Sequence, residues 1–206
     1  MRKFLPIILI LSFTKLYAQT GPAGVGNTTS NVLWLKANAG TSSTVDNTAI
    51  SFWNDQSGNG NNVSQSSANQ QPLFRSNILN GMPAIQFDNN NGTNDKLIGA
   101  DSPNLDNTNG LTIFSVVRPQ NVDNNARSIV AKRVNVGVDQ SYMFFFFTGS
   151  RLYADIVSNN DRFDSNPTTF AANNNYILNL HYDGTLPAAQ RAKMYSGQTL
   201  LRTATE

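Results

Sequence analysis

Cysteine is absent from the 206 residues, and histidine and glutamate occur once each. Without thiols there is no disulfide framework, no thiolate zinc site and no cysteine nucleophile. A lone imidazole, His181, excludes a zinc centre built on several histidines. With Glu206 as the sole glutamate, aspartate must supply any carboxylate pair of the kind glycoside hydrolysis needs. Lysine and arginine number 15 against 13 acidic residues, but Arg2, Lys3 and Lys15 lie close to the N-terminus. Without those three the acidic residues are in slight excess, so no concentrated basic field recommends a nucleic-acid partner.

Long apolar runs are also scarce. Met1 to Ala18 has the layout of a secretory signal: Arg2 and Lys3 at the start, an apolar stretch from Leu5 to Phe13, and a small residue at Ala18. The stretch falls well short of the ~20 apolar residues that cross a bilayer as a helix. Export to the medium or the cell surface is therefore expected, with no membrane span once the signal is removed. Cleavage after Ala18 leaves a short lead-in, residues 19–30, and a domain over 31–206. A chain of that length buries roughly 70% of its unfolded surface, enough to hold a core without disulfides.

What is abundant is asparagine, with 29 residues. Asparagine tolerates left-handed backbone and closes turns through its amide side chain. Its clusters at 59–62, 89–94, 107–109, 124–125, 159–160 and 173–175 separate stretches rich in aromatic and β-branched residues. Those stretches are expected to be strands: Asn31 to Lys36, Ala84 to Phe87, Leu111 to Arg118, Ser128 to Lys132, Tyr142 to Phe147, Arg151 to Val157, Tyr176 to Tyr182, Arg191 to Tyr195 and Thr199 to Thr203. Helical periodicity is confined to short pieces such as Ala188 to Lys193. No βαβ rhythm and no glycine-rich phosphate loop occurs. Many short strands with Gly and Asn turns point to an all-β sandwich or a related barrel.

Four consecutive phenylalanines, 144–147, set a packing problem. Alternation sends Phe144 and Phe146 to one face of a strand, and Phe145 and Phe147 to the other. One pair fills the core. The other is either covered, as in a central strand, or lines a concave ligand face.

The segment Trp53-Asn54-Asp55-Gln56-Ser57-Gly58-Asn59-Gly60-Asn61-Asn62, with Gln71-Pro72-Leu73-Phe74 and Asn80 to Asp88, resembles the laminin-G-like domains of secreted bacterial proteins. The opening Gly21 to Gly26 and Asn31 to Ala37 look like a version found in surface-associated Bacteroidetes. The resemblance implies an all-β, antiparallel jelly-roll β-sandwich of the concanavalin A-like class. Against that pattern the chain looks incomplete at its C-terminus, since relatives carry further strands. Retaining hydrolases of this fold bear two glutamates on one strand with an aspartate between. Here Asp155 has no carboxylate two or four positions away, and Asp161 and Asp164 are placed in the following loop.

A non-catalytic exported binding module is thus expected, with a polysaccharide, glycan or cell-surface protein as partner. The alternative is a structural or adhesive module without a small ligand. Sugar recognition needs aromatic platforms, and the candidates are Trp53, Tyr142, Tyr153 and Tyr176, although Trp53 could equally anchor the core. Calcium is a candidate cofactor: Asp55 and Asn59 in one loop, and Asp88 and Asp95 around another, supply hard oxygen ligands. A plain turn network would use Asp55 and Asn59 equally well. His181 on its strand reads as a solvated surface residue.

Overall fold

The computed structural model describes residues 21, 29–88, 92–106, 109–132, 142–156 and 162–204. The expected signal peptide, most of the lead-in, Val157, Asp161 and Glu206 lie outside them. Within them the strands are β1 (Thr48–Ala49), β2 (Phe52–Trp53), β3 (Val63–Ser64), β4 (Leu73–Leu79), β5 (Met82–Gln86), β6 (Ile98–Gly99) and β7 (Gly110–Val117). They continue with β8 (Arg127–Lys132), β9 (Tyr142–Phe147), β10 (Arg151–Ile156), β11 (Arg162–Asp164), β12 (Tyr176–Asp183), β13 (Ala192–Ser196) and β14 (Thr199–Thr203). A single α-helical turn, α1 (Ala188–Arg191), precedes β13.

Every pairing is antiparallel. Two four-stranded sheets, ordered β11-β10-β9-β8 and β14-β13-β12-β7, enclose the core, and two three-stranded sheets, β1-β4-β5 and β2-β3-β6, complete the chain. The architecture is all-β, with the packing of a β-sandwich. Turn chemistry explains several joins. Asn80 and Gly81 both take positive φ (51° and 81°), as the two-residue loop between Leu79 and Met82 requires. Gly197 (φ 57°) does the same work between β13 and β14.

The core is made by alternation. Phe144 and Phe146 of β9 meet Leu152, Ala154 and Ile156 of β10 on one side, and Leu178, Leu180, Ala192 and Met194 of the other sheet on the opposite side. Phe170 closes one end, edge-on to Phe146 at 5.4 Å and to Tyr176 at 4.9 Å. Strand β9 lies between β8 and β10. Its second face is covered too: Phe145 is buried and Phe147 half-buried, with Tyr153 5.6 Å from both rings. Both phenylalanine pairs are therefore used in packing.

Two expectations need correction. Asn31 to Lys36 forms no ladder strand; it is held by the loop beyond β2, with only an isolated bridge from Lys36 to Ala39. Its polar groups are met by side chains and one amide: Asp55 accepts from the Trp34 N–H, Gln56 N–H donates to the Trp34 carbonyl, and Asn59 and Asn61 donate to the carbonyls of Asn31 and Val32. Asp164, placed in a loop by the sequence, belongs to β11 and pairs with Tyr153. Three residues bounded by unpatterned sequence are too few for a period of two to register.

Replacing Phe144 by Ala should cost about 3–5 kcal/mol of stability. The same change at Phe114, 72% exposed on the other sheet, should stay within about 0.5 kcal/mol. Urea unfolding of the two variants beside the parent protein checks both.

Candidate functional site

Strand β7 alternates exposed and half-buried residues along its whole length, the signature of a sheet with one solvated face. Leu111, Ile113 and Val117 turn towards the core, whereas Thr112, Phe114 and Val116 turn outward. Register then assembles rows across the sheet. Val116 lies beside Ile177, and Phe114 beside Asn179, which in turn faces Tyr195 and then Leu200. A third row runs Thr112, His181, Lys193, Thr203. Phe114, Val116, Ile177 and Leu200 are all strongly exposed.

This face grades from apolar to polar within three rows. At its polar end the Thr112 hydroxyl and His181 Nδ1 lie 3.1 Å apart. In its middle, Asn179 Nδ2 donates to the Gly197 carbonyl at 3.3 Å, while Asn179 Oδ1 is buried without a hydrogen-bond partner. An acceptor left in that state costs about 1–3 kcal/mol. None of Phe114, Asn179 or Tyr195 is among the ligand-binding candidates expected from the sequence. The expected strand Leu111 to Arg118 carries apolar side chains on both of its faces, and nothing local marks the solvated one.

The four aromatic candidates are scattered. Trp53 lies in β2 opposite Val63, and its indole N–H donates to the Lys36 carbonyl at 2.8 Å. Tyr142 is buried on the core-side face of β9, across from Lys132 and Ile156. Burial pushes its phenol up, opposed by the Lys132 charge. Tyr176 closes a corner, its hydroxyl accepting from the Ala171 N–H at 2.9 Å and donating to the Ala171 carbonyl at 3.3 Å. Tyr153 lies on the outward face of β10, 8% exposed, and donates to the Thr148 carbonyl at 3.3 Å.

Around Tyr153 runs an ionic layer. Arg162 forks onto Asp155 (2.8 and 3.1 Å), and its guanidinium lies 5.3 Å from the Phe145 ring centre. Arg151 bonds Asp164 at 2.8 Å. Burial pushes the Asp164 carboxyl up, but the Asn166 amide and Arg151 outweigh it and hold the group below the usual carboxylate range. Asp155 is buried and needs its cation, because an unpaired interior charge is strongly destabilising.

Asp55 clamps its loop. Oδ1 accepts from the N–H groups of Trp34 (2.9 Å) and Ser57 (2.8 Å), and Oδ2 from the Ser57 hydroxyl (2.7 Å) and the Asn61 N–H (3.1 Å). Asn59 Nδ2 donates to the Asn31 carbonyl and to Ser57 Oγ. Four protein donors on one carboxylate make a turn network, and a calcium shell of six to eight oxygens would have to displace them. Asp88 and Asp95 form a separate pair, Asp88 N–H donating to Asp95 Oδ2 and Asp95 N–H to the Asp88 carbonyl, both at 3.0 Å. Burial raises the Asp95 carboxyl; the Asp88 amide opposes this and the Asp88 charge adds to it. Among the described residues no group of three or more His, Cys, Asp or Glu is placed to hold a metal ion. No described helix is long and apolar enough to cross a membrane. Comparison with protein-family models, curated proteins and solved structures gives no match.

Burial raises the Asp55 carboxyl, yet its backbone donors win and hold it below the ordinary value of 3.8. A depressed folded value means the stabilisation is complete above the unfolded value and is lost as pH falls through the folded one. Asp55→Ala should therefore lower stability by about 1–3 kcal/mol at pH 7. The gap to the parent protein should narrow on acidification below about pH 4. Thermal melts from pH 7 to pH 2.5 test this; a gap independent of pH would show that the carboxylate charge is not what holds the loop.

Proposed function

We propose that this protein is a non-catalytic binding module that takes carbohydrate on the outer face of the β14-β13-β12-β7 sheet. The proposal places that face in an exported, laminin-G-like jelly roll of the concanavalin A-like class. The observation that carries the reading is Phe114: an aromatic ring 72% exposed on the edge strand β7, beside the Asn179 amide, with His181 on the same neighbouring strand and Tyr195 and Lys193 one strand further on. Sugars offer one apolar ring face and a rim of hydroxyls. An exposed aromatic answers the first, and polar groups on the same face such as His181 and Lys193 answer the second. Positions on paired strands are held more firmly than positions on loops, which favours this face over the Asn-rich loops.

The opposing reading, an adhesive module without a small ligand, draws on the same face. Phe114, Val116, Ile177 and Leu200 together form an apolar patch of the kind that marks protein contacts. Binding of the purified protein to an array of neutral and acidic glycans separates the two. Phe114→Ala should weaken glycan binding about tenfold, equivalent to about 1.4 kcal/mol, with no change in melting temperature. Glycan binding that is indifferent to Phe114 would remove the sheet face from the proposal. Self-association lost in Phe114→Ala, with no glycan bound by the parent protein, would favour the adhesive reading.

A further inference from the structure

A second feature lies on the open side of the sandwich. Strands β11 and β14 are edge strands of the two four-stranded sheets. Between them is a cleft of about 310 Å³ lined by Tyr153, Arg162, Phe163, Asp164 and Arg202. Arg202 reaches over to the loop after β11, where it donates to the Asn166 carbonyl at 3.3 Å. The volume is close to the lower bound, about 300 Å³, of small-ligand sites.

Charge in the cleft is unevenly spent. Arg162 is neutralised by Asp155, and Asp164 by Arg151. Arg202 has no carboxylate within reach among the described residues, and only one of its donors is engaged. A guanidinium carries five N–H donors in a planar fork that matches a carboxylate in two places. The remaining wall offers aromatic edges from Tyr153 and Phe163, a carboxylate that can accept from hydroxyls, and a guanidinium that can donate to them. An anion with hydroxyls on an apolar ring satisfies all of these at once.

We infer that this cleft binds the carboxylate of an acidic sugar, a hexuronate residue, through Arg202. The site stands apart from the sheet face proposed above, because Arg202 is paired across from Met194, whose side chain is in the core, and lies in the seam between the sheets. Ionic recognition of this sort weakens as salt screens it. The neighbouring pairs are already matched, so removing Arg202 leaves the cleft without an excess positive charge.

The test is calorimetric titration of the purified protein with a galacturonic acid trisaccharide, beside the neutral galactose trisaccharide and sodium sulfate. Galacturonate should bind at least about fivefold more tightly than the neutral sugar and more weakly as salt rises. Arg202→Gln should weaken it at least about fivefold, with Arg202→Lys, which keeps the charge but loses the fork, in between. Phe114→Ala should leave it unchanged, and melting curves of each variant confirm folding. Parental affinity in a folded Arg202→Gln, or equal affinity for the neutral sugar, would overturn the inference. Sulfate displacing galacturonate at equal concentration would reduce the site to a simple oxyanion site and overturn the sugar assignment. Galacturonate binding lost in Phe114→Ala but kept in Arg202→Gln would place acidic sugars on the sheet face instead. Galacturonate binding that needs Arg202, with no neutral glycan bound at Phe114, would sink only the sheet-face proposal.

Discussion

Burial of β9 on both of its faces is the constraint from which much of the molecule follows. A strand carrying Phe144 to Phe147 cannot sit in a sheet with one wet side. Its inner pair makes the core with β12 and β13, and its outer pair demands a further layer. That layer is built from Tyr153 and from two arginine–carboxylate pairs rather than from more aliphatic side chains. Arg162 serves twice, lying over the Phe145 ring while forking onto the buried Asp155. The buried carboxylate thus holds the half-exposed guanidinium over the aromatic layer.

The partner sheet is treated in the opposite way. Its inner face supplies Leu178, Leu180 and Met194 to the core, while its outer face leaves Phe114, Val116, Ile177 and Leu200 in solvent. Apolar side chains left in solvent on neighbouring strands, beside an amide with an unmet acceptor, are costly. The two sheets therefore divide the labour: one is sealed for stability, and the other is open and carries the proposed binding face. The cleft at Arg202 has its own origin, in two edge strands that approach without pairing.

In the loop from Asp55 to Asn61, polar side chains take the place of a ladder. Asn31 to Lys36 has the composition of a strand, yet its backbone groups are met by Asp55, Gln56, Asn59 and Asn61. Asn104 joins the same network through Asn61. Turns that fold back onto distant backbone in this way rely on contacts separated by twenty or more residues. They tie the loop to the preceding segment through hydrogen bonds.

Residues alone determined the β class, the positions of most long strands and the Asn-Gly and Ser-Gly turns, because alternation and left-handed backbone preference are local properties. They also showed that Phe144 and Phe145 must part company. Which phenylalanines would be hidden is a different kind of fact. Phe114 and Phe144 both sit in β-branched or aromatic runs, and one is 72% exposed while the other is fully buried. Strand pairing across tens of residues decides which face meets another sheet, and a period of two is silent about that. The same holds for Asp155 and Arg162, whose pairing depends on β10 and β11 lying side by side, and for Arg202, which meets the cleft only through the approach of two sheet edges. Burial and charge pairing are long-range properties, and only the folded chain brings their partners together.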